Sequence, residues 1–490
     1  MSDVPDFETS GLPEELSAFD QLMHRGEANP RTRSGIMGIE LLDTTPDWER
    51  FRAQFEQASR KAIRLRQKVV MPTLPTAAPR WVVDPDFNLD FHVRRVRAPG
   101  AGTLREVLDL AELALQSPLD ISRPLWTATL VEGLADGKAA TMLHMSHAVT
   151  DGVGSIEMFA HLYDLERDPE PRAEAPLPIP EDLSPDELMR QGISRLPQGI
   201  ANNLLGAAVG AAGLVGRAVR DPLSTVSGVI DYALSSRRVM TPAAPASPVL
   251  RRRSLASRSE AIDIKFSDLH KASKAGEGSI NDAYLAAVCG ALRRYHEAKG
   301  IPVATLPMAV PVNVRSDSDP AGGNRFAGVN IAAPIGVVDP VKRMHRVRAQ
   351  MTRKREERAI EVVGVVAPLL TLVPDNVLES MAGSVVNSDV QASNVPGYPG
   401  DTYIAGAKVL RHYGIGPLPG VAMMAVLISR GGWVTVSTRY DRAAIDDEEL
   451  WARCLLDGFN EILALGGPGR AIPVTFEAET EAAANGGVTQ

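Results

Sequence analysis

A short apolar run that ends in a polar turn is the part of this chain that most restricts its fold. Residues 139–145 are apolar and too few for an ordinary helix, which predicts a buried strand. His147 follows the end of this strand, and an Asp-Gly turn begins at Asp151. A helical pattern comes next, with Asp151 or Ser155 as its N-cap. Such a strand–turn–helix unit holds His147 at an edge where a rigid scaffold can present a catalytic group.

These residues alone allow two interpretations of the role of His147. An imidazole has an ordinary pKa of about 6.5, so the neutral ring can accept a proton at working pH. The carboxylate of Asp151 can hold the surrounding loop in shape. This pattern suits a general base. The alternative is a histidine that is satisfied within the core, with Asp151 acting only as a helix cap.

Residues 147–152 spell His-Ala-Val-Thr-Asp-Gly, which is similar to the H-x-x-x-D-G signature of the CoA-dependent acyltransferase superfamily. That superfamily includes chloramphenicol acetyltransferase, peptide-synthetase condensation domains and plant BAHD acyltransferases. Further motifs accompany the signature in a fixed order, at residues 117–126, 279–282, 311–315, 323–325 and 393–397. Over residues 15–470 this ordered set resembles the bacterial wax ester synthase/diacylglycerol acyltransferase family.

The resemblance implies an α/β fold with two chloramphenicol-acetyltransferase-like domains and an active-site tunnel at their interface. It makes His147 the general base. It makes Asp151 a structural residue that is oriented away from the substrate and paired with an arginine. Arg315 occupies the position where some relatives carry that arginine, and Gly152 completes the motif.

The same resemblance gives other motif residues supporting roles. Asn281 and Asp282 match a polar motif on the second domain and would approach the tunnel from its opposite wall. Their residue types equally favour capping of the helix that begins there. Pro124, Leu125 and Trp126 are assigned to packing beside the site rather than to chemistry.

The chain departs from the family at one position of the signature. Family members usually carry two adjacent histidines, and Ser146 replaces the first of them. Because successive side chains of a strand point to opposite faces, Ser146 and His147 are not expected to share one site. The second histidine is the catalytic one in the superfamily. We therefore expect the replacement to affect the rate or the orientation of the substrate more than the reaction itself.

Charge and cysteine usage exclude several other classes of protein. The formal net charge of −8 argues against general nucleic-acid binding, which needs a basic surplus or a basic face. Cys289 and Cys454 lack metal-ligand spacing and are expected to be reduced, buried thiols. The acidic N-terminus shows no signal peptide, so we expect a cytoplasmic protein. No metal and no bound cofactor are expected, and acyl-CoA is the expected co-substrate.

The order of patterns predicts two α/β units joined by a crossover. Residues 1–14 are expected to be flexible, 15–167 to form an N-terminal domain, 168–258 a linker, 259–476 a C-terminal domain, and 477–490 a disordered tail. The linker is predicted to include an apolar helix that is rich in small residues.

Local patterns also predict individual elements. Alternating or short apolar runs indicate strands at residues 35–42 and 91–96, and helical spacing indicates helices at 48–68 and 448–463. Two further strands are joined by a glycine pair at residues 431–432, which is a hairpin signal.

Two segments concern lipid contact. Residues 204–216 are apolar and small, but polar residues crowd the run, so it is not predicted to span a membrane. It would pack closely against another helix or lie over a lipid tunnel. Residues 342–358 predict a basic amphipathic helix, which suits a solvated face, an anionic membrane surface or the phosphates of CoA. Peripheral contact with a membrane or with lipid inclusions would follow from the second of these uses.

The predicted function is an acyl-CoA-dependent O-acyltransferase. It would esterify diacylglycerol to triacylglycerol, or a long-chain alcohol to a wax ester, with His147 removing the hydroxyl proton. Two alternatives stay open. A condensation-type enzyme would take its acyl group from a carrier protein, and a non-catalytic paralogue would bind lipid or acyl-CoA without turnover.

Overall fold

The computed structural model describes most of the chain as α/β structure. The described ranges are residues 12–74, 76–149, 160–170, 173–195, 243–313, 326–356, 371, 388–398 and 400–476.

Strands and helices are interspersed along the described ranges, which gives the mixed α/β fold that the sequence predicts. The strands are β1 (Gly35–Leu42), β2 (Gln67–Val70), β3 (Arg80–Val83), β4 (Val93–Arg97), β5 (Trp126–Glu132), β6 (Ala139–Ser146), β7 (Ser257–Lys265), β8 (Leu306–Asn313), β9 (Phe326–Ala333), β10 (Val390–Pro396), β11 (Tyr403–Ile404), β12 (Ala407–Ile415), β13 (Met423–Arg430), β14 (Trp433–Asp441) and β15 (Ile472–Pro473). The helices are α1 (Ala18–Gly26), α2 (Trp48–Lys61), α3 (Leu89–His92), α4 (Leu104–Gln116), α5 (Pro185–Arg195), α6 (Phe266–Ala275), α7 (Ile280–Ala298), α8 (Pro340–Glu356) and α9 (Glu448–Leu463).

The first sheet has six strands in the order β11-β12-β1-β6-β5-β4. Strands β4 and β5 run parallel, and the other neighbours run antiparallel. Helix α2 covers one face with Phe51 and Phe55, which share a core cluster with Met145 and Trp126. Helix α4 covers the other face, where Val107 belongs to a second core cluster. Strand β6 is therefore an interior strand of a sheet that is buried on both faces.

The second sheet has seven strands in the order β15-β7-β14-β13-β10-β8-β9. Strands β13 and β14 form the predicted hairpin, and Gly431 and Gly432 have φ angles of 53° and 79°, which a two-residue turn of this hand requires. Helix α7 is buried along residues 282–292 and packs in one core with Trp451 and Phe459 of α9.

The second half of the chain contributes two strands, β11 and β12, to the first sheet. Strand β12 comes from the second half of the chain but pairs antiparallel with β1, so that Tyr413 lies opposite Ile39. Strand β12 also lies against β13: a Cβ atom at Gly414 would stand only 2.8 Å from Cδ1 of Ile428. The predicted division of the chain at residue 259 assigns β12 to the second domain, since that division follows chain order alone.

One predicted strand is wrong at its start. Phe91 and His92 belong to the short helix α3, and strand β4 begins only at Val93. The side chain of Asn88 accepts a hydrogen bond from the N–H of Asp90 and begins the helical turn. The ring of His92 then stacks on Trp126 at 4.7 Å inside the first domain. Tertiary packing thus overrides the local alternation.

Some predicted features lie outside the described ranges. They are the small-residue segment at 204–216, the helix expected from residue 155, and the N-terminal and C-terminal segments at 1–11 and 477–490. Among the described helices, none is both long and apolar enough to cross a bilayer.

Candidate active site

Strand β6 confirms the strand predicted before His147. His147 is the first residue beyond the strand and is half-buried. Its backbone N–H donates a 3.3 Å hydrogen bond to the carbonyl oxygen of Ser34, and the turn continues with a 3.1 Å bond from the N–H of Val149 to the carbonyl of Ser146. The imidazole is thus carried by a turn whose backbone is attached to a second segment of the chain.

Ser146 lies under this turn and is fully buried. Its Oγ donates a 2.7 Å hydrogen bond to Oε1 of Glu27 and accepts a 3.2 Å bond from the N–H of Ala148. Its backbone N–H donates to the carbonyl of Leu125 at 3.0 Å. The hydroxyl therefore helps to fix the shape of the turn.

Glu27 is a buried acid that the sequence analysis does not identify. It caps the C-terminus of α1 and has no exposed surface. Oε1 also accepts a 3.1 Å hydrogen bond from Oγ of Ser34, whereas Oε2 has no partner in the described part of the structure. Burial raises the pKa of Glu27, and the hydrogen bonds of Ser146 and Ser34 and the charge of Arg33 oppose that rise. The sequence held only a weak indication of this site. Glu27 follows a helix, and an acid at a helix C-terminus is unfavourable because it opposes the helix dipole.

His144 precedes Ser146 by two residues and lies on the same face of β6. It is buried, and no hydrogen-bond partner for its Nε2 lies in the described ranges. Burial, together with the positive charges of Arg439 and Arg33, lowers the pKa of His144 from 6.5 to about 3. This imidazole is therefore neutral at physiological pH.

A buried ion pair joins the two domains in the same neighbourhood. Nε of Arg439, on β14, lies 3.2 Å from Oε2 of Glu112, on α4. Ser257 donates to the same Glu112 oxygen at 2.6 Å and accepts a 3.1 Å bond from Arg439. The partners are 327 residues apart in sequence, so no local pattern could have paired them.

The segment before β5 packs beside the histidine turn. Leu125 and Trp126 are buried, and the indole N–H of Trp126 donates a 2.7 Å hydrogen bond to the carbonyl of Leu65. Pro124 is buried as well, and its carbonyl accepts the N–H of Trp126 at 2.9 Å. The contacts described for these three residues are packing and backbone contacts.

Two motif residues of the second domain meet each other. Nδ2 of Asn394, on β10, donates a 3.3 Å hydrogen bond to Oδ1 of Asn281, at the start of α7. The neighbouring Asp282 forms a capping box with Ser279: its Oδ2 accepts the Ser279 N–H at 2.8 Å, and its own N–H donates to Ser279 Oγ at 3.2 Å. The described bonds of Asp282 thus belong to helix capping.

Three predicted site residues, Asp151, Gly152 and Arg315, lie outside the described ranges. Among the residues that are described, no group of three or more His, Cys, Asp or Glu side chains is arranged to hold a metal ion. The described site therefore consists of His147 and the buried polar groups around its turn.

Comparison with known proteins places this chain in a family. A family model for the wax ester synthase/diacylglycerol acyltransferase catalytic domain matches residues 14–284, and the model for the C-terminal domain matches residues 322–463. A protein of Mycobacterium tuberculosis strain H37Rv that is provisionally named a diacylglycerol O-acyltransferase is 68% identical over 474 residues. These cover 96% of this chain and 96% of that protein.

Solved structures show the same fold at low sequence identity. A wax ester synthase/diacylglycerol acyltransferase from Marinobacter aquaeolei VT8 matches with a TM-score of 0.61 and 20% identity, covering 93% of this chain and 100% of that one. The first condensation domain of the CDA synthetase matches with a TM-score of 0.55 and 14% identity, over 96% and 99% of the two chains. The family models and the 68% identical relative establish that the chain belongs to the wax ester synthase/diacylglycerol acyltransferase family and is an O-acyltransferase.

Proposed function

We propose that this protein transfers an acyl group from acyl-CoA to the hydroxyl of diacylglycerol or of a long-chain alcohol, with His147 as the general base. The observation that carries the proposal is the position of His147. It stands half-buried at the end of an interior strand, on a turn attached to a neighbouring segment. The name of the 68% identical relative supports diacylglycerol as the acceptor.

The proposed reaction exchanges one acyl bond for another. The imidazole of His147 takes the hydroxyl proton while the alcohol oxygen attacks the thioester carbonyl. Collapse of the tetrahedral intermediate breaks the C–S bond, and the proton returns to the departing thiolate to give CoA-SH. Such positioned acid–base catalysis typically contributes about a hundred- to ten-thousandfold in rate.

The remaining motif residues keep the roles that the family resemblance implies. Asp151 would be structural and paired with Arg315, and Asn281 would lie on the tunnel wall opposite the histidine. The capping box at Asp282 supports a purely structural role for that residue. A tunnel between the domains would admit acyl-CoA from one side and the lipid alcohol from the other.

Loss of activity in His147→Ala is the direct test. Purified protein is incubated with labelled palmitoyl-CoA and with diacylglycerol or a panel of alcohols, and the products are separated by lipid chromatography. We expect kcat to fall at least a hundredfold in His147→Ala, and to stay at the wild-type value in His270→Ala, which removes an exposed histidine on α6. Unchanged ester formation in His147→Ala would remove it from the role of base.

The same assay separates the two alternatives. Turnover with a carrier-bound thioester but not with acyl-CoA would indicate a condensation-type enzyme, whose fold this chain shares. Acyl-CoA binding without product in the wild-type protein would indicate a non-catalytic paralogue.

The basic face of α8 supports peripheral contact with anionic lipid. Its exposed side chains include Lys342, Arg346, Arg348 and Arg353, on a protein whose net charge is −8. Basic residues near an anionic surface contribute about 1 kcal/mol each. We expect co-sedimentation with phosphatidylglycerol vesicles and release in the double variant Arg346→Glu, Arg348→Glu. Equal binding of wild type and variant would assign α8 to a solvated face.

A further inference from the structure

A carboxyl group is buried where helix α1 meets the turn of His147. Glu27 has no exposed surface, and its backbone N–H donates to the carbonyl of His24 at 3.2 Å, at the end of the helix. Its Oε1 accepts hydrogen bonds from Ser146 at 2.7 Å and from Ser34 at 3.1 Å. One oxygen atom therefore joins two hydroxyl groups that come from separate segments of the chain.

The two serines hold the backbone at three successive residues. The carbonyl of Ser34 accepts the N–H of His147, and Oγ of Ser146 accepts the N–H of Ala148. Ser146 itself is the strand residue before the histidine. Both serines are buried, with 5% or less of their surface exposed. The Glu27 carboxyl thus reaches Ala148 through the hydroxyl of Ser146, and it holds Ser34, whose carbonyl accepts the N–H of His147.

The acid is not placed for stability alone. Oε2 of Glu27 is buried with no partner in the described ranges, and an unpaired buried polar atom costs free energy. Replacing buried polar groups by apolar ones of similar volume is often neutral or stabilising. Glu27 is a buried acid with one unpaired oxygen, and it is hydrogen-bonded to Ser146 in the histidine turn and to Ser34 beside it. This arrangement points to a functional role at the turn.

We propose that Glu27 is a positioning residue for acyl transfer, which acts through Ser146 and Ser34 to fix the turn that carries His147. The inference deepens the proposed function and rests on His147 being the base. The hydroxyl of Ser146 and the carboxyl of Glu27 together fix the strand residue that precedes His147.

A variant at Glu27 can separate the need for an acceptor oxygen from the need for a negative charge. Oε1 only accepts hydrogen bonds from the two serines. The amide oxygen of Glu27→Gln can accept the same two hydrogens, whereas Glu27→Ala removes the acceptor. A positioning role therefore predicts that glutamine restores most of the activity that alanine loses.

The experiment compares kcat and KM of Glu27→Ala, Glu27→Gln, Ser146→Ala and the double variant Glu27→Ala, Ser146→Ala with palmitoyl-CoA and diacylglycerol. We expect kcat of Glu27→Ala to fall about 10- to 100-fold with KM changed less than about twofold, because misplacement of a catalytic group by about 1 Å can cost this much. Glu27→Gln stays within about threefold of wild type. Since Glu27 acts in part through Ser146, the two losses should not multiply: adding Ser146→Ala to Glu27→Ala should lower kcat by a smaller factor than Ser146→Ala does alone.

Ser254→Ala is the matched control. Oγ of Ser254 donates a 2.7 Å hydrogen bond to Oδ1 of the buried Asp441, the same length and chemistry as Ser146 to Glu27, but in the second domain. We expect Ser254→Ala to lower Tm while kcat per folded molecule stays within about twofold of wild type. Equal loss of kcat in Ser146→Ala and Ser254→Ala would overturn the inference, since the effect would then be general loosening.

The outcomes also separate this inference from the proposed function. An inactive His147→Ala with a fully active Glu27→Ala overturns only the positioning role. Full activity in His147→Ala overturns the proposed function and this inference with it. If Glu27→Ala does not fold, Ser146→Ala decides: a tenfold lower kcat supports the positioning role, and an unchanged kcat overturns it.

Discussion

The two domains each bury an ionisable side chain, and they treat it differently. In the second domain Arg343 of α8 has no exposed surface, and its three nitrogens are all bonded, to the carbonyl of Ala286 at 2.8 Å, to that of Val337 at 2.8 Å, and to Glu461. In the first domain Glu27 is equally buried, but only one of its two oxygens has a partner in the described ranges.

The difference separates a scaffold from a site. Each buried polar atom without a partner costs about 1–3 kcal/mol. Three such atoms of the described residues belong to β6 and to the helix whose C-cap bonds Ser146: His144 Nε2, His24 Nδ1 and Glu27 Oε2. Each of the three guanidinium nitrogens of Arg343, by contrast, has at least one hydrogen-bond partner. Proteins relax such local rules mainly where function needs a particular arrangement of groups.

Removal of Arg343 should produce the largest loss of stability. Arg343→Ala removes the guanidinium hydrogen bonds to the carbonyls of Ala286 and Val337 and weakens the pairing of Glu461, which still keeps Arg294 at 3.1 Å. We expect the free energy of unfolding to fall by about 3 kcal/mol, while kcat per folded molecule is unchanged. Urea unfolding and the acyl-transfer assay measure both.

Arg346→Ala is the control for that variant, because Arg346 is exposed on the same helix. Its expected effect on unfolding is within about 0.5 kcal/mol. A large loss of kcat in Arg343→Ala would break the distinction between scaffold and site.

Breaking the ion pair between the domains should lower both stability and activity. Glu112→Gln keeps an acceptor for Ser257 but removes the charge that faces Arg439. Hydrogen bonds to charged groups contribute about 1.5–3 kcal/mol, so we expect about 2 kcal/mol of destabilisation. Because the pair holds α4 of the first domain against β14 of the second, its loss should also lower kcat at a site between the domains.

Glu49→Gln removes an exposed acid of α2 and serves as the comparison for Glu112→Gln, with an expected change within about 0.5 kcal/mol. If kcat of Glu112→Gln per folded molecule equals that of wild type, the domain interface belongs with the scaffold.

His144 should make stability depend on acid pH. Its pKa in the folded protein is about 3, below the 6.5 of an ordinary histidine, so the unfolded chain binds the extra proton between these values. The contribution is therefore complete above pH 6.5 and is lost as the pH falls toward 3, at about 1.4 kcal/mol per pH unit. In His144→Leu the free energy of unfolding should fall less steeply between pH 6 and pH 4.

Urea unfolding at pH 7, 6, 5 and 4 measures this slope, with His270→Leu as the exposed-histidine control. Parallel curves for wild type and His144→Leu would show that the ring does not titrate as its burial indicates. The strand would then open before the proton binds.

Local sequence patterns predicted many of the strands and helices. The strand at Gly35–Leu42 and the helix at Glu448–Leu463 have the predicted bounds, and the run before His147 is a strand. Periods of about 2 and 3.6 residues record which face of an element is buried, and they need no knowledge of the partner. The predicted helix at residues 48–68 ends at Lys61, because Ala62 leaves helical geometry with ψ of 82°.

Tertiary structure decided the pairings that chain order does not contain. The sequence by itself determined an α/β chain with a histidine at the end of a strand, and its ordered motifs identified the acyltransferase family. It did not determine that β12 joins the first sheet, that Glu27 meets Ser146 across 119 residues, or that Glu112 meets Arg439 across 327. Burial of a polar side chain is stabilised by its partner, and that partner is known only once distant segments have packed.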